Sequence, residues 1–332
     1  MRWSNVIGIL FLSLLSESLS AVEFTFKKEM VFIGHRDAVN AIDVWKNKRE
    51  GRIVSGSDDR RVVIWNLETG KILHAVTPPA GRSNEAKKIK NVFFVKKEKL
   101  VLVASLWKHL WIWKPDTNTR KILFEGESTR KSWVSSDIMD VAISPNGKLI
   151  AFLNPPYALK VCAFPSFKVL VNFHIDHHAR LNTLCFSQDS KFVMMGGTEN
   201  KLQVYSLLED DLIFDKQNGH APVTAIVSTS DTIIVGDQLG TVRVWDIATG
   251  DIKRTLETGS PVRSLAVVTE DAFVSGHDNG EIHLWEISSE TCLAKEIAHN
   301  GTVRCIHFYE EKKFLTGGTD KKIIQWELSE IP

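Results

Sequence analysis

Hydrophobic residues in this chain recur in a short motif that returns seven times. Each copy begins with a six-residue run whose positions 1, 4 and 6 are mostly apolar: VNAIDV (39–44), IKNVFF (89–94), IMDVAI (138–143), LNTLCF (181–186), VTAIVS (223–228), VRSLAV (262–267) and VRCIHF (303–308). Positions 4 and 6 keep the period of two expected of a strand with one buried face. A polar turn follows, as in Ser144-Pro145-Asn146-Gly147, built from residue types that favour turn geometry. A second apolar strand comes next, such as RIVSG (52–56) or TIIVG (232–236), then a tight polar turn and a third strand that ends on a large side chain. A fourth strand, such as GKILHAV (70–76), ends the unit. The residues closing the third strand, Trp65, Trp113, Cys162, Tyr205, Trp245, Trp285 and Trp326, stand 40–49 residues apart. Four strands per unit at that period predict an all-β propeller of seven blades.

The two ends of the pattern fit one another. Only six residues follow Trp326, so the seventh unit lacks its own outer strand. The run FTFKKEMVFI (24–33) stands before the first unit and is expected to supply that strand, closing the ring without a long unpaired edge. Upstream, Arg2, an apolar run over residues 6–15 and a polar, small-residue stretch ending at Ala21 have the layout of a secretory signal peptide. The apolar run is too short to span a bilayer. The expected organisation is a signal segment over 1–21 and a single propeller domain over 22–332. The expected location is periplasmic or secreted if that segment acts as a signal, and cytoplasmic otherwise. Cleavage after Ala21 would leave the closing strand whole.

These residues resemble the WD40 repeat family over about 24–328. Gly34-His35, Gly219-His220 and the variant Ala298-His299 stand where that family has its Gly-His pair. Trp245-Asp246 keeps the Trp-Asp pair, whereas Trp65-Asn66, Trp285-Glu286 and Trp326-Glu327 keep only the Trp. Blades 2 and 3, ending Trp113-Lys114 and Cys162-Ala163, match through spacing alone. The resemblance implies a hydrogen-bonded chain inside a blade, formed by His35, Ser55, Asp59 and Trp65 in blade 1. His299, Thr316, Asp320 and Trp326 would form it in blade 7. Each bond contributes about 1 kcal/mol net, and truncating a buried Trp costs roughly 3–5 kcal/mol. His, Ser and Asp together also look like a hydrolytic triad, but their regular placement beside a closing Trp favours a structural role.

Charge and composition narrow the function. The chain is 43% hydrophobic and 24% charged with a net charge of +1, so it has neither the basic excess of a nucleic-acid binder nor the acidity of a disordered tail. Four cysteines, Cys162, Cys185, Cys292 and Cys305, fall on the third, first, fourth and first strands of different blades, at positions that do not match, and read as free thiols acting as small hydrophobes. No H-E-x-x-H or acidic calcium loop occurs, and no cofactor, metal or membrane span is expected.

The resemblance implies a contact surface on the face made by the loops entering the first strand and the turns between the second and third. Carried over to this sequence, Asn40, Lys90, Met139, Asn182, Thr224, Arg263 and Arg304 would lie nearest the central opening. Ala38, Asp58, Lys88, Leu106, Asp137, Pro155, Arg180, Thr198, Pro222, Gln238, Pro261, Asp278, Thr302 and Thr319 would lie around them. Three cations and no anion among those seven lean toward an acidic peptide, phosphate or carboxylate, although three in seven is also what an ordinary surface delivers. Trp107, in the turn where the family has Asp, would be either a rim anchor for a partner or, with Trp133, a cover for the degenerate region of blades 2 and 3. The implied function is a non-catalytic scaffold that binds a protein or peptide, as a monomeric propeller within a complex. The alternative is an exported propeller enzyme, hydrolase- or lactonase-like, with a site near the axis. Asn300-Gly301-Thr302 is an N-glycosylation triplet if the chain is exported from a eukaryotic cell.

Overall fold

A computed structural model describes residues 23–79, 88–95, 100–105, 109–125, 138–154, 158–174 and 181–331. Its 28 strands form seven sheets of four antiparallel strands, each an uninterrupted meander except the last. We letter the strands a to d from the axis outward. Blade 1 is Val39–Lys46, Gly51–Ser57, Val62–Asn66 and Ile72–Val76. Blade 7 takes its strands a to c from Val303–Glu310, Lys313–Gly318 and Lys322–Ile331, and its strand d from Glu23–Ile33 at the other end of the chain. That strand pairs along its length, from Glu23↔Ile331 to Ile33↔Lys322. The ring is therefore closed by hydrogen bonds between the two ends of the sequence.

Alternation along the closing strand explains why it holds. Phe32 is buried on one face and meets Trp65 of blade 1 edge-on, ring centroids 6.0 Å apart. Phe26 is buried against Phe314 of blade 7 itself, at 5.8 Å. The same segment thus completes one blade and seals the seam to the next.

Between blades, the first apolar residue of strand a packs onto a small residue in strand b of the blade before it. A Cβ on Gly56 would lie 2.3 Å from Ile89, on Gly196 2.5 Å from Val223, on Gly236 2.5 Å from Val262, on Gly276 2.7 Å from Val303 and on Gly317 2.8 Å from Val39. Real Cβ atoms do not approach so closely, so glycine at these positions sets the distance between sheets. All four cysteines are free, and burial pushes the Cys305 thiol up to about 12.

Candidate functional site

The seven residues nominated for the opening share one backbone device. In six blades the pairing of strands a and b skips a residue, and the skipped residues are Asn40, Lys90, Asn182, Thr224, Arg263 and Arg304. In blade 3 the amide of Met139 bonds to Leu153 O at 3.0 Å while Asp140 also pairs with Leu153, so two residues again face one. A bulge of this kind takes the residue out of the ladder and re-aims its side chain. All seven are at least partly exposed. The spacing of apolar positions 1, 4 and 6 carries this signal, because a regular strand would read 2, 4, 6.

The chemistry at these positions differs from blade to blade. Asn40 donates from Nδ2 to Asp58 Oδ1 at 2.7 Å and to the carbonyl of Ile89 in the next blade at 3.0 Å. Lys88, also of blade 2, bonds the other Asp58 oxygen at 2.8 Å. Blade 6 repeats the arrangement in another chemistry. Arg263 grips Asp278 through two parallel bonds of 2.7 and 2.6 Å, and Thr302 of blade 7 donates to the same carboxylate at 3.2 Å. The Arg263 fork, with help from Thr302 and the charge of Arg304, holds Asp278 below the usual carboxylate range. Thr224 donates to the carbonyls of Gly236 and Val262, tying blade 5 to blade 6.

Of the three cations, then, Arg263 is neutralised within its own blade. Arg304 is exposed and, among the described residues, forms no ion pair. Lys90 is half-buried, and its charge acts on Asp140, whose carboxyl is raised by burial while it accepts bonds from Asn91 and from the amide of Leu184. Trp107 and Trp133 lie outside the described residues, as do Leu106, Asp137, Pro155 and Arg180.

The internal networks are as follows. In blade 1, Trp65 Nε1 donates to Ser55 Oγ at 2.8 Å, Ser55 Oγ lies 2.7 Å from His35 Nε2, and His35 Nδ1 lies 2.9 Å from Asp59. One tautomer satisfies all three bonds: Ser55 donates to Nε2 and Nδ1–H donates to the carboxylate. Burial alone would raise Asp59, but the His35 bond and the amides of Arg36 and Arg61 outweigh it and hold the group at about 2. Blade 7 is built the same way, with Trp326 to Thr316 at 3.0 Å, Thr316 to His299 at 2.8 Å and His299 to Asp320 at 2.8 Å. Ser55 and Thr316 are fully buried and each receives an indole N–H. A hydroxyl enclosed in that way cannot reach a substrate, so the triad-like set is structural.

Three blades differ from the sequence-based picture. In blade 5 the segment from Gly219 to Val223 is one residue shorter than the corresponding 34–39 in blade 1. His220 is exposed, and Trp245 donates instead to Asn218 Oδ1 at 2.9 Å. In blade 6, which lacks a loop histidine, His277 at the end of strand b takes over. Trp285 donates to Ser275 at 3.1 Å, Ser275 meets His277 Nε2 at 2.8 Å, and His277 Nδ1 meets the Ser260 carbonyl at 3.0 Å. A backbone carbonyl replaces the aspartate. In blade 2 the buried Trp111, rather than Trp113, bonds a strand-b serine, Ser105, at 3.0 Å.

The family described as WD domain, G-beta repeat matches residues 26–66, 214–246 and 290–327. Those three stretches match WD40 repeats. The matched stretches are blades 1, 5 and 7, two of which hold the complete Trp–hydroxyl–His–Asp chain. A WD40 propeller is typically a binding scaffold for proteins and generally non-catalytic. No curated protein matches the chain. Among the described residues, no group of His, Cys, Asp and Glu is arranged to hold a metal ion, and no helix is long and apolar enough to cross a membrane.

Proposed function

We infer that this WD40 propeller is a non-catalytic scaffold that holds an acidic segment of a protein partner on the face carrying the seven bulges. One observation supports the choice of ligand. Blades 6 and 1, on either side of blade 7, tie their own opening residues, Arg263 and Asn40, to the carboxylates of Asp278 and Asp58, whereas Arg304 between them makes no such bond among the described residues. A carboxylate arriving there meets an exposed guanidinium that makes no internal ion pair. Lys90, beyond blade 1, extends the same cationic sector. The propeller acts as a monomer within a complex. It works outside the cytosol, a reading supported by the signal-like segment over 1–21.

The test is affinity capture from the native compartment, followed by mass spectrometry, with the wild type and the variant Arg304→Glu. The variant should keep its melting temperature and lose the principal partner. The same partners at the same yield on both proteins would discard the reading. N-terminal sequencing of the mature chain should begin at Val22, and retention of Met1 would remove the export arm alone.

A further inference from the structure

The rim of the ring between blades 6 and 7 breaks the pattern of its repeats. At the end of strand d, just before the chain enters the next blade, five blades carry a polar residue: Thr77, one position past its strand, and Glu125, His174, Gln217 and Glu257. Two of these make local bonds, Gln217 to the Gly219 carbonyl at 2.7 Å and Glu257 to Thr241 at 3.2 Å. Blades 6 and 7 carry isoleucine there instead, Ile297 at 67% exposure and Ile33 at 73%. Val31, one strand period before Ile33, is 38% exposed. Isolated exposed aliphatics are ordinary, but these three lie on adjoining strands d of neighbouring blades.

A groove of about 450 Å3 runs between those strands. Val31, Ile297 and Ile324 give it apolar walls, Asn300 lies at its edge, and Lys28 and Lys322 bring two ammonium groups to it. Among the described residues neither lysine has a carboxylate within ion-pair distance, although Lys28 also lies over the Trp326 ring at 5.3 Å. Asp320 lines the groove too, but its oxygens already accept bonds from His299, from the amide of Asn300 and from the amide of Lys322. The groove therefore offers a hydrophobic slot beside two uncommitted positive charges.

We propose that this groove is a second docking site, independent of the bulged face, for an extended protein segment carrying an aliphatic side chain next to a carboxylate. The aliphatic group fills the slot between Ile297 and Val31, and the carboxylate sits against Lys28 and Lys322. A groove between two strands suits an extended chain, and the charge selects acidic over basic sequences.

The experiment is a selection of randomised short peptides against the whole protein. Enriched sequences are then measured by fluorescence anisotropy on the wild type and on Ile297→Glu with Lys322→Glu. Both side chains are exposed, so the variant should melt as the wild type does. One class of enriched peptides should pair an aliphatic with an acidic residue, bind the double variant at least about tenfold more weakly, and bind Arg304→Glu unchanged. Absence of that class, or equal affinity for the double variant, overturns the proposal. Loss on Arg304→Glu alone would assign the peptide to the bulged face and likewise overturn it.

Discussion

At the scale of single residues, the internal networks make stability depend on pH with a sign fixed by each group. His277 is held neutral because burial and the neighbouring His283 ring, 4.2 Å away, lower it from 6.5 to about 4. Its contribution is complete above pH 6.5. It is lost as the pH falls toward 4, because the unfolded chain takes up a proton that the folded chain refuses. Glu281 and Lys295 face the same pair with opposing effects. Asp59, depressed from 3.8 to about 2, adds a second loss between roughly pH 4 and pH 2. Urea unfolding at pH 7 and pH 4.5 should differ by about 2–3 kcal/mol through His277 alone. The variant His277→Gln should be less stable at pH 7 yet show a smaller difference between the two pH values. An unchanged difference would show that the proton uptake lies elsewhere.

At the scale of elements, the closing strand and the inter-blade glycines set the geometry. Phe32→Ala removes the side chain that seals blade 7 to blade 1 and should cost about 3–5 kcal/mol in chemical denaturation. The exposed Ile33→Ala on the same strand should cost little, and equal losses for the two would contradict the seal. Gly236→Ala drives a Cβ into Val262, whose position the next blade fixes, and should cost about 1–3 kcal/mol. A neutral result would mean that the sheets separate more freely than the packing implies. Strand order, blade count and the exchange of the outer strand were legible because each follows from periodicity and from which strand is missing at the end. The bulge was visible in the 1, 4, 6 spacing, but its consequence needed the paired strand. Networks were readable only where spacing was regular. His35 and His299 follow from the repeat, whereas one missing residue moved His220 out to solvent. His277 entered its network from a strand position that no loop motif marks. The neutralisation of Arg263 was invisible because Asp278 lies 15 residues away, in the turn after strand b, and meets it only through the fold.

Across the whole molecule, the seven blades are equal in topology but not in internal bonding. Blades 1, 6 and 7 each link a closing Trp through a hydroxyl to a histidine and then to an acceptor. Blade 5 shortens that chain to one bond with Asn218. In blade 4 the phenol of Tyr205 bonds Asp210 in the following turn. Blade 3 closes on Cys162, which has no aromatic ring to bury, and its strand a spans only Asp140–Ile143. A ring sealed by its own terminus should still unfold globally in one transition, because opening any blade exposes the faces of two neighbours. Local opening below that limit should follow the internal bonding, since each satisfied buried network raises the cost of separating its strands. Hydrogen exchange read by mass spectrometry should therefore find strands b and c of blades 1, 6 and 7 slowest and those of blade 3 fastest. The replacement Thr316→Val leaves both His299 Nε2 and the Trp326 indole without a partner. It should speed exchange in blade 7 and, through the shared closing strand, at the seam with blade 1, while blade 3 is unchanged. Uniform acceleration around the ring would instead mean that the propeller opens only as a single unit.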